Sequence, residues 1–517
     1  METSQSRLSP LRPWREIELT LTASADHPHP YTGVDVWAEF VHSNQTVLRR
    51  PAFWDGGRTW RVRFASPFAG GEWRWRSAAS VPDPGLCDQH GTIACAPEPQ
   101  ARHRFYRSGF WRMSPGGRSL VHADGTPALL VADTAWALPW RATVEQCRVY
   151  AEDRQRKGFN AALLMSVQPD MSAEGPRDRT QDLGFGVGFE DLRLGHINEI
   201  DVSYFQYFDR LVDVLVAHEI VPVHQPVFHG YGWRGGPVAG LVIPTGEYVR
   251  YCRYLVARYG SRPAVYLVGA DGLGRLDQID AAGREIEQWD CYRQPTGLHY
   301  APNADNCAWQ DRDWLDFQWC QTGHNGEHVQ ERVADMRRNT PVKAVANGEP
   351  TYENMAWRGN AAGWWQGHEA WSNLCAGGTM GVVYGAASLW QWRLHENEPG
   401  HAAWCSALDS SWRDALAFEG STYVGVISRI FDGLCFADME PNWTSTLGRR
   451  AVAVPGKLLV VFLPHGGYFS IVDETVPREY RVVDPKTGTV LRCGNRTDLP
   501  AGGLELPRGE PLVVVFT

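Results

Sequence analysis

The feature that most limits the possible folds is a repeated alternation of short apolar runs and amphipathic stretches between residues 104 and 416. Eight apolar runs have strand length, two of them weaker than the rest: 128–132, 161–165, 221–223, 265–268, 297–299, 314–317, 342–346 and 381–384. Stretches with helical periodicity separate many of them, the clearest being 144–157, 203–218, 246–259, 278–292 and 329–338. Alternating strands and helices predict an α/β fold with a parallel sheet, and eight strands favour a closed (β/α)₈ TIM barrel. An open doubly wound sheet is the alternative, although no GxGxxG or GxxxxGK[ST] loop follows a strand.

Both flanks of this region have the pattern of antiparallel β-structure. Residues 1–103 alternate apolar and polar side chains at period two in the runs 17–21, 34–40, 60–64 and 73–76, which predicts an N-terminal β-sandwich. Residues 412–432 have a helical pattern and are expected to pack on the barrel. Strand patterns return at 451–454, 458–462, 480–483 and 511–516. We therefore predict three domains: a sandwich at 1–103, a barrel at 104–439 and an antiparallel β-domain at 440–517.

Charge and composition exclude several classes of partner. The chain has 50 Lys and Arg against 59 Asp and Glu, a formal net charge of −9, so the basic surface that nucleic-acid binding needs is not expected. No apolar run approaches the length of a membrane span, and residues 1–13 contain no apolar core of a secretory signal. The 11 Cys residues are scattered without metal-ligand spacing. A cytoplasmic location is the expectation, and the oligomeric state stays open.

Polar and aromatic side chains follow nearly every predicted barrel strand, and barrel active sites lie at these strand ends. A sugar-binding site needs polar and aromatic side chains together, because the hydroxyl groups of a sugar require directional hydrogen bonds and its ring faces pack on aromatic rings. The excess of Trp, 23 residues, fits the same ligand class. The candidate substrate-binding residues are Asp133, Trp136, Gln168, His224, His229, Trp233, His299, Tyr300, Gln321, His324, Tyr352, Tyr384 and Trp390.

Two carboxylates, Asp271 and Glu349, directly follow the fourth and seventh predicted strands. These strands lie on opposite sides of a closed eight-stranded barrel, so the two side chains can face each other across its mouth. Hydrolysis of a glycosidic bond uses one carboxylic acid and one carboxylate in such an arrangement. A metal-dependent hydrolase built from His224, His299 and His324 is an alternative. A Ser or Cys nucleophile is weaker, because no GxSxG elbow occurs.

The chain also resembles a known family, the apiosidase-like glycoside hydrolases, which are described as domain of unknown function 4038 and include glycoside hydrolase family 140. The resemblance rests on stretches that occur in the family's order over most of the barrel. They are VADTAW at 131–136, KGFN at 157–160, ID at 200–201 with YF at 204–205, QTGH at 321–324, EPTYE at 349–353 and YG at 384–385 with LWQ at 389–391. The flanking regions resemble the β-sandwich and the collagen-binding-type β-domain that accompany such barrels.

The resemblance implies a retaining glycosidase without a cofactor. It implies that Asp271 is the acid/base and Glu349 the nucleophile, although the Gly-Ala pair that precedes Asp271 departs from the family's Gly-Gly. It implies an apiofuranoside or another plant-type glycoside as substrate. The segment 173–198 is expected to shape the pocket. A carbohydrate-binding protein without catalytic activity is the alternative from a different functional class.

Overall fold

A closed barrel of eight parallel strands forms the centre of the molecule in the computed structural model, which describes residues 10–230, 238–272, 275–302, 304, 307–355, 361–398, 409–499 and 503–517. The barrel strands, numbered here β1 to β8, are Leu130–Thr134, Ala161–Met165, Val221–Gln225, Val265–Leu267, Thr296–His299, Phe317–Gln321, Ala344–Glu349 and Gly381–Tyr384. Each pairs with its neighbours in sequence, and β8 closes the ring on β1. The predicted TIM barrel is therefore confirmed, and the open sheet is not formed.

Helices cover the outside of the barrel. In chain order they are α1 Val144–Lys157, α2 Val202–Ala217, α3 Thr245–Tyr259, α4 Leu276–Trp289, α5 Glu331–Arg337, α6 Trp364–Cys375 and α7 Glu419–Phe431. α1 begins at a capping box in which Thr143 and Gln146 satisfy each other's backbone N–H groups. Within the described residues, no helix combines the length and apolar character needed to cross a membrane.

The N-terminal region is the predicted β-sandwich. One sheet contains Glu16–Thr22, Thr59–Ala65 and Phe53–Trp54, and the other contains Val47–Pro51, Val36–His42, Glu72–Ala79 and His90–Ala94. Arg63 of the first sheet reaches the barrel, where its guanidinium is 2.7 Å from Asp209 of α2, and Arg258 of α3 binds the same carboxylate at 2.8 Å. These buried ion pairs fix the sandwich against the α2–α3 side of the barrel.

The C-terminal region is a six-stranded antiparallel sheet in the spatial order Glu440–Pro441, Ala451–Val454, Leu458–Leu463, Leu512–Phe516, Glu479–Val483 and Val490–Asn495. Alternate residues of its central strands face different cores. Val460 and Phe462 belong to the barrel's apolar cluster, whereas Leu459 and Val461 belong to the sheet's own cluster. The antiparallel C-terminal domain is thus confirmed as an architecture, and the boundaries at 103/104 and 439/440 stay predictions.

The sixth and first strands differ from their predicted ranges for reasons that the structure shows. The sixth strand is not 314–317 but Phe317–Gln321, because Trp314 packs on α4 and its Nε1 donates to Asp280 at 2.9 Å. The first begins at Leu130, because Pro127–Ala128 pairs instead with Leu120–His122 in a small antiparallel sheet that precedes the barrel.

Candidate active site

Glu349 ends β7, and a bulge in that strand decides which way its side chain points. Asn347 pairs regularly with β6, but the next pair joins Gln321 to Glu349, so Gly348 is left without a partner. In a regular strand, the side chains of residues 347 and 349 would lie on the same face. The extra residue of the bulge places them on opposite faces of β7. Asn347 therefore donates to Glu369 of α6, at 3.4 Å, outside the barrel, while the carboxylate of Glu349 lies inside.

Position 348 has no room for a side chain. A Cβ atom there would lie 1.0 Å from Nε1 of Trp319, whose indole is fully buried on the neighbouring strand β6. Glycine therefore lets the backbone of β7 approach that ring closely enough to form the bulge.

Two histidines bracket the carboxylate of Glu349. Nε2 of His324 lies 2.9 Å from Oε1 in a hydrogen bond, and Nε2 of His299 lies 3.2 Å from Oε2 without the alignment of a hydrogen bond. Burial raises the pKa of Glu349, but the contacts of His299 and His324 outweigh burial and hold this pKa below its ordinary value. The environment of Glu349 therefore favours its ionised form, and His324 holds one of its oxygens, Oε1.

Gln225 orients one of these histidines. Its Oε1 lies 3.1 Å from Nδ1 of His299, which places Nε2 of the same ring toward Glu349. Gln225 ends β3 and points into the barrel, so its position is set by the strand rather than by a loop.

Asp271 follows β4 and is held in an unusual backbone conformation. Its φ is +53°, a left-handed conformation that non-glycine residues adopt at an energetic cost, and such positions cluster at functional sites. The neighbouring loop supports it, since the backbone N–H of His229 donates to the carbonyl of Ala270 at 2.9 Å. A Cβ atom on Gly230 would lie 2.7 Å from Oδ2 of Asp271, so this loop passes close to the carboxyl group.

The environment of Asp271 favours its protonated form. Burial raises the pKa of Asp271 well above its ordinary value, and the negative charge of Glu349 adds to this, while a hydrogen bond with Gln321 opposes it. Its Oδ1 accepts no hydrogen bond from the described residues. The structure thus brings Asp271, Gln321 and Glu349 together, with the two carboxyl groups displaced toward opposite protonation states.

Aromatic rings form a continuous wall beside the two carboxyl groups. The ring of Trp136 lies 6.1 Å from that of His299 and 5.7 Å from that of Trp390. Tyr352 continues the series, 5.9 Å from Trp390 and 4.5 Å from His324. Five of the predicted binding residues, Trp136, His299, His324, Tyr352 and Trp390, therefore surround Glu349, and Gln321 contacts Asp271.

Asp133 and Tyr384 are neighbours on β1 and β8, but they face the helices. The carboxylate of Asp133 accepts from Arg154 of α1 at 2.6 Å. The hydroxyl of Tyr384 donates to Glu353 at 2.7 Å, and the Arg154 guanidinium lies 5.7 Å from its ring. The structure does not bring either residue to the Asp271–Glu349 pair, because both side chains are used in a buried polar layer between barrel and helices.

His224 also faces outward. Its ring stacks on Tyr259 of α3 at 4.9 Å, and burial lowers its pKa to about 3. Its neighbour Gln225 points inward because successive residues of a strand alternate sides. His224 is therefore not assembled with His299 and His324, as the metal-hydrolase alternative requires. Across the described residues, no group of three or more His, Cys, Asp or Glu side chains is placed to hold a metal ion.

The remaining predicted binding residues lie around the rim. Nε2 of His229 is 2.8 Å from Gln278 of α4, so this ring supports the loop that carries Asp271. Tyr300 packs near Trp309, with ring centres 6.3 Å apart. Gln168 follows β2 and is buried, and Trp233 lies outside the described residues.

Two residues that orient the side chains of this site, Gln225 and Gly348, were not among the predicted site residues. Gln225 and His224 are adjacent polar residues at the end of the third predicted strand, and the sequence does not distinguish which of the two points into the barrel. Gly348 carried the one signal that could have identified the bulge, since an isolated glycine in a strand pattern indicates a bulge or a close backbone approach.

Comparisons with known proteins identify the family of the barrel. Residues 114–438 match the family described as "Apiosidase-like, catalytic domain", which covers more than half of the chain. Residues 10–80 match a domain of unknown function, DUF5060. No curated protein matches the chain.

Three solved structures are similar in fold. A candidate glycoside hydrolase from Bacteroides vulgatus ATCC 8482 is 18% identical with a TM-score of 0.72, over 98% of this chain and 100% of that one. A structure named "Glycoside hydrolase" is 19% identical with a TM-score of 0.65, over 79% and 97% of the two chains. A glycoside hydrolase family 5 protein from the same Bacteroides strain is 20% identical with a TM-score of 0.64, over 79% and 94%. At these identities the likeness concerns the fold.

Proposed function

Since the chain belongs to the apiosidase-like catalytic family and is thereby a glycosidase, we propose that it hydrolyses a terminal glycosidic bond with retention of anomeric configuration. In this proposal Asp271 is the acid/base and Glu349 is the nucleophile. The observation that carries this proposal is the placement of two buried carboxyl groups at the ends of β4 and β7, of which only Glu349 is contacted by His299 and His324. The pKa of Asp271 is raised by burial and by the charge of Glu349, whereas the histidine contacts of Glu349 outweigh its burial and lower its pKa. Such a pair supplies one proton donor and one anion at the same pH.

In the first step, Oε2 of Glu349 attacks the anomeric carbon. Its other oxygen, Oε1, is held by His324, which fixes the carboxylate during the attack. The bond from the anomeric carbon to the leaving oxygen breaks, its electron pair goes to that oxygen, and Asp271 gives it a proton. The products are a glycosyl ester on Glu349 and the free alcohol.

In the second step, the carboxylate of Asp271 takes a proton from water as the water oxygen attacks the anomeric carbon. The ester bond breaks, its electron pair returns to Glu349, and the sugar is released with its original configuration. The contact between His299 and Oε2 favours this return, because it stabilises the carboxylate that leaves.

The substrate we propose is an apiofuranoside or another plant-type glycoside with one terminal sugar in the pocket. The family description supports the first choice. Trp136, Trp390 and Tyr352 offer flat apolar surfaces for the C–H faces of a sugar ring, and Gln321 offers hydrogen bonds to its hydroxyl groups.

The proposal is tested by screening nitrophenyl glycosides, furanosides included, and following the first-formed product by proton NMR. We expect turnover of at least one glycoside and release of the sugar in the configuration of the substrate. Release of the opposite anomer would overturn the retaining mechanism. Binding of glycosides without any turnover would favour the carbohydrate-binding alternative.

The pH dependence of kcat/KM should have two limbs assigned to the two carboxyl groups. Glu349 must be ionised, so activity is lost only as the pH falls through its lowered pKa. Asp271 must be protonated, so activity is lost as the pH rises through its raised pKa. In Asp271→Asn the alkaline limb should disappear and the remaining activity should be greatest with the most acidic leaving group. A wild-type alkaline limb that persists unchanged in this variant would assign the acid to another residue.

A further inference from the structure

A second cavity lies beside the end of β2, outside the group around Glu349. It has a volume of about 450 Å³, in the range of pockets that take small organic ligands. Apolar side chains form part of its wall, namely Met171, Val187, Phe189 and Leu192. Gln168 lines the same cavity, and its side-chain carbonyl oxygen is buried and accepts no hydrogen bond from the described residues.

The position of this cavity in the ring of strands places it on the side of the proposed acid. Its residues follow β2, and a bridge between Asp170 and Val238 ties them to the segment that follows β3. In the closed ring, β3 is next to β4, which Asp271 follows, and β2 is two strands from β4. By contrast, β2 is three strands and β3 is four strands from β7, which ends at Glu349. The leaving oxygen must lie next to the acid, so a group attached to it extends toward β4 and its near neighbours.

An exposed apolar ridge continues the cavity outward. Leu194, Leu241 and Val242 are 65%, 47% and 48% exposed. A Cβ atom on Gly195 would lie 3.0 Å from Val242 and 3.5 Å from Met171, so the ridge and the cavity wall are contiguous. Adjacent exposed apolar side chains of this size mark binding surfaces in soluble proteins.

Four charged residues also line the cavity, and all four are exposed, namely Glu174, Arg177, Glu190 and Arg193. Arg177 and Glu190 lie 3.7 Å apart and are more than half exposed. The cavity therefore combines buried apolar residues, the carbonyl oxygen of Gln168 without a partner among the described residues, and exposed charged residues.

We propose that this cavity and ridge bind the leaving group of the substrate, and that the leaving group is an aryl or similarly flat apolar group bearing a hydroxyl, rather than a second sugar. This inference rests on the proposed glycosidase function. The ridge of Leu241 and Val242, with Met171 beside it, would cover a ring system, and a hydroxyl on that ring would satisfy the carbonyl oxygen of Gln168.

The test compares glycosides of one sugar that differ only in the leaving group. The phenyl and 2-naphthyl glycosides have leaving groups of similar acidity, so a difference between them reports binding rather than bond breaking. The methyl glycoside and a disaccharide of the same sugar complete the series. We expect the naphthyl glycoside to have a kcat/KM about tenfold higher than the phenyl glycoside, mainly through KM, because a second ring adds apolar area against the ridge.

The double variant Leu241→Ser/Val242→Ser should lower the ratio of kcat/KM for the naphthyl and phenyl glycosides from about tenfold to about one. The matched control is Leu447→Ser/Val472→Ser, which changes two residues of the C-terminal region that are 68% and 57% exposed and should leave the whole series unchanged. Equal kcat/KM for phenyl and naphthyl glycosides, or a clear preference for the disaccharide, would overturn this inference and leave the proposed function standing. No turnover of any glycoside would overturn both.

Discussion

Replacing Glu349 by glutamine is expected to lower kcat/KM by about 10⁴-fold or more, since removal of a catalytic nucleophile has effects of this order or larger. The amide keeps the size of the side chain but cannot attack the anomeric carbon. It also removes the negative charge that raises the pKa of Asp271, so that pKa should fall toward its ordinary value. The measurement is steady-state hydrolysis of the best glycoside of the screen, with folding checked by circular dichroism.

The chain provides a matched control four residues away. Glu353 is equally buried, but its carboxylate accepts from the hydroxyl of Tyr384 at 2.7 Å and from the backbone N–H of Gly363 at 2.7 Å. Glu353→Gln should therefore affect stability and leave kcat/KM of the folded enzyme within about tenfold. A similar loss in both variants would mean that a buried carboxylate in this run is needed for folding, and the role of Glu349 as nucleophile would be rejected.

A second measurement separates a missing nucleophile from a distorted site. In Glu349→Ala, added azide can occupy the space of the lost carboxylate and attack from the same face, which gives a glycosyl azide of inverted configuration. In Asp271→Ala, azide attacks the glycosyl ester from the opposite face, which gives the retained azide. Exchange of these two outcomes would reverse the roles assigned to Asp271 and Glu349.

The helices and strands of the barrel were predictable because their apolar periodicity is local. The helix predicted at 144–157 is Val144–Lys157, whose capping box can be read from Thr143 and Gln146. The unpredicted helix α6, Trp364–Cys375, shows where this fails. It lies between the barrel and the C-terminal sheet, with Trp371 against Phe462, so it is buried on several sides and lacks the polar face that identifies a surface helix.

The direction in which strand residues point was much less predictable. Both sides of a barrel strand are buried, one by the interior and one by the helices, so polarity does not distinguish them. His224 and Gln225 are adjacent and both buried, yet only Gln225 reaches the proposed active site. Asp133 and Trp136 illustrate the same difficulty three residues apart, since the first pairs with Arg154 of α1 and the second faces His299. The bulge at Gly348 makes the direction of Glu349 harder to predict, because one extra residue moves every later side chain to the other face of the strand.

Replacing Gly348 by alanine is therefore expected to damage the site more than any other substitution that adds a single carbon. The new Cβ would lie 1.0 Å from Nε1 of Trp319, so β7 must move or the indole must leave its place. We expect the free energy of unfolding to fall by about 3 kcal/mol, the upper part of the usual range for overpacking. We also expect kcat to fall by about 10²-fold in the molecules that fold, because displacement of a catalytic group by about 1 Å has effects of this size.

Denaturant unfolding and steady-state kinetics at a temperature where the variant is folded measure the two effects separately. The control is Gly246→Ala, at a position where a Cβ atom meets no other atom within 4 Å, near the start of α3. That variant should be unchanged or slightly more stable, since alanine favours helix over glycine. In a Trp319→Leu background, the further loss caused by Gly348→Ala should be smaller than in the wild type, because the indole that it strikes is gone. Equal losses in both backgrounds would show that the contact with Trp319 does not set the conformation of β7, and the bulge would need another cause.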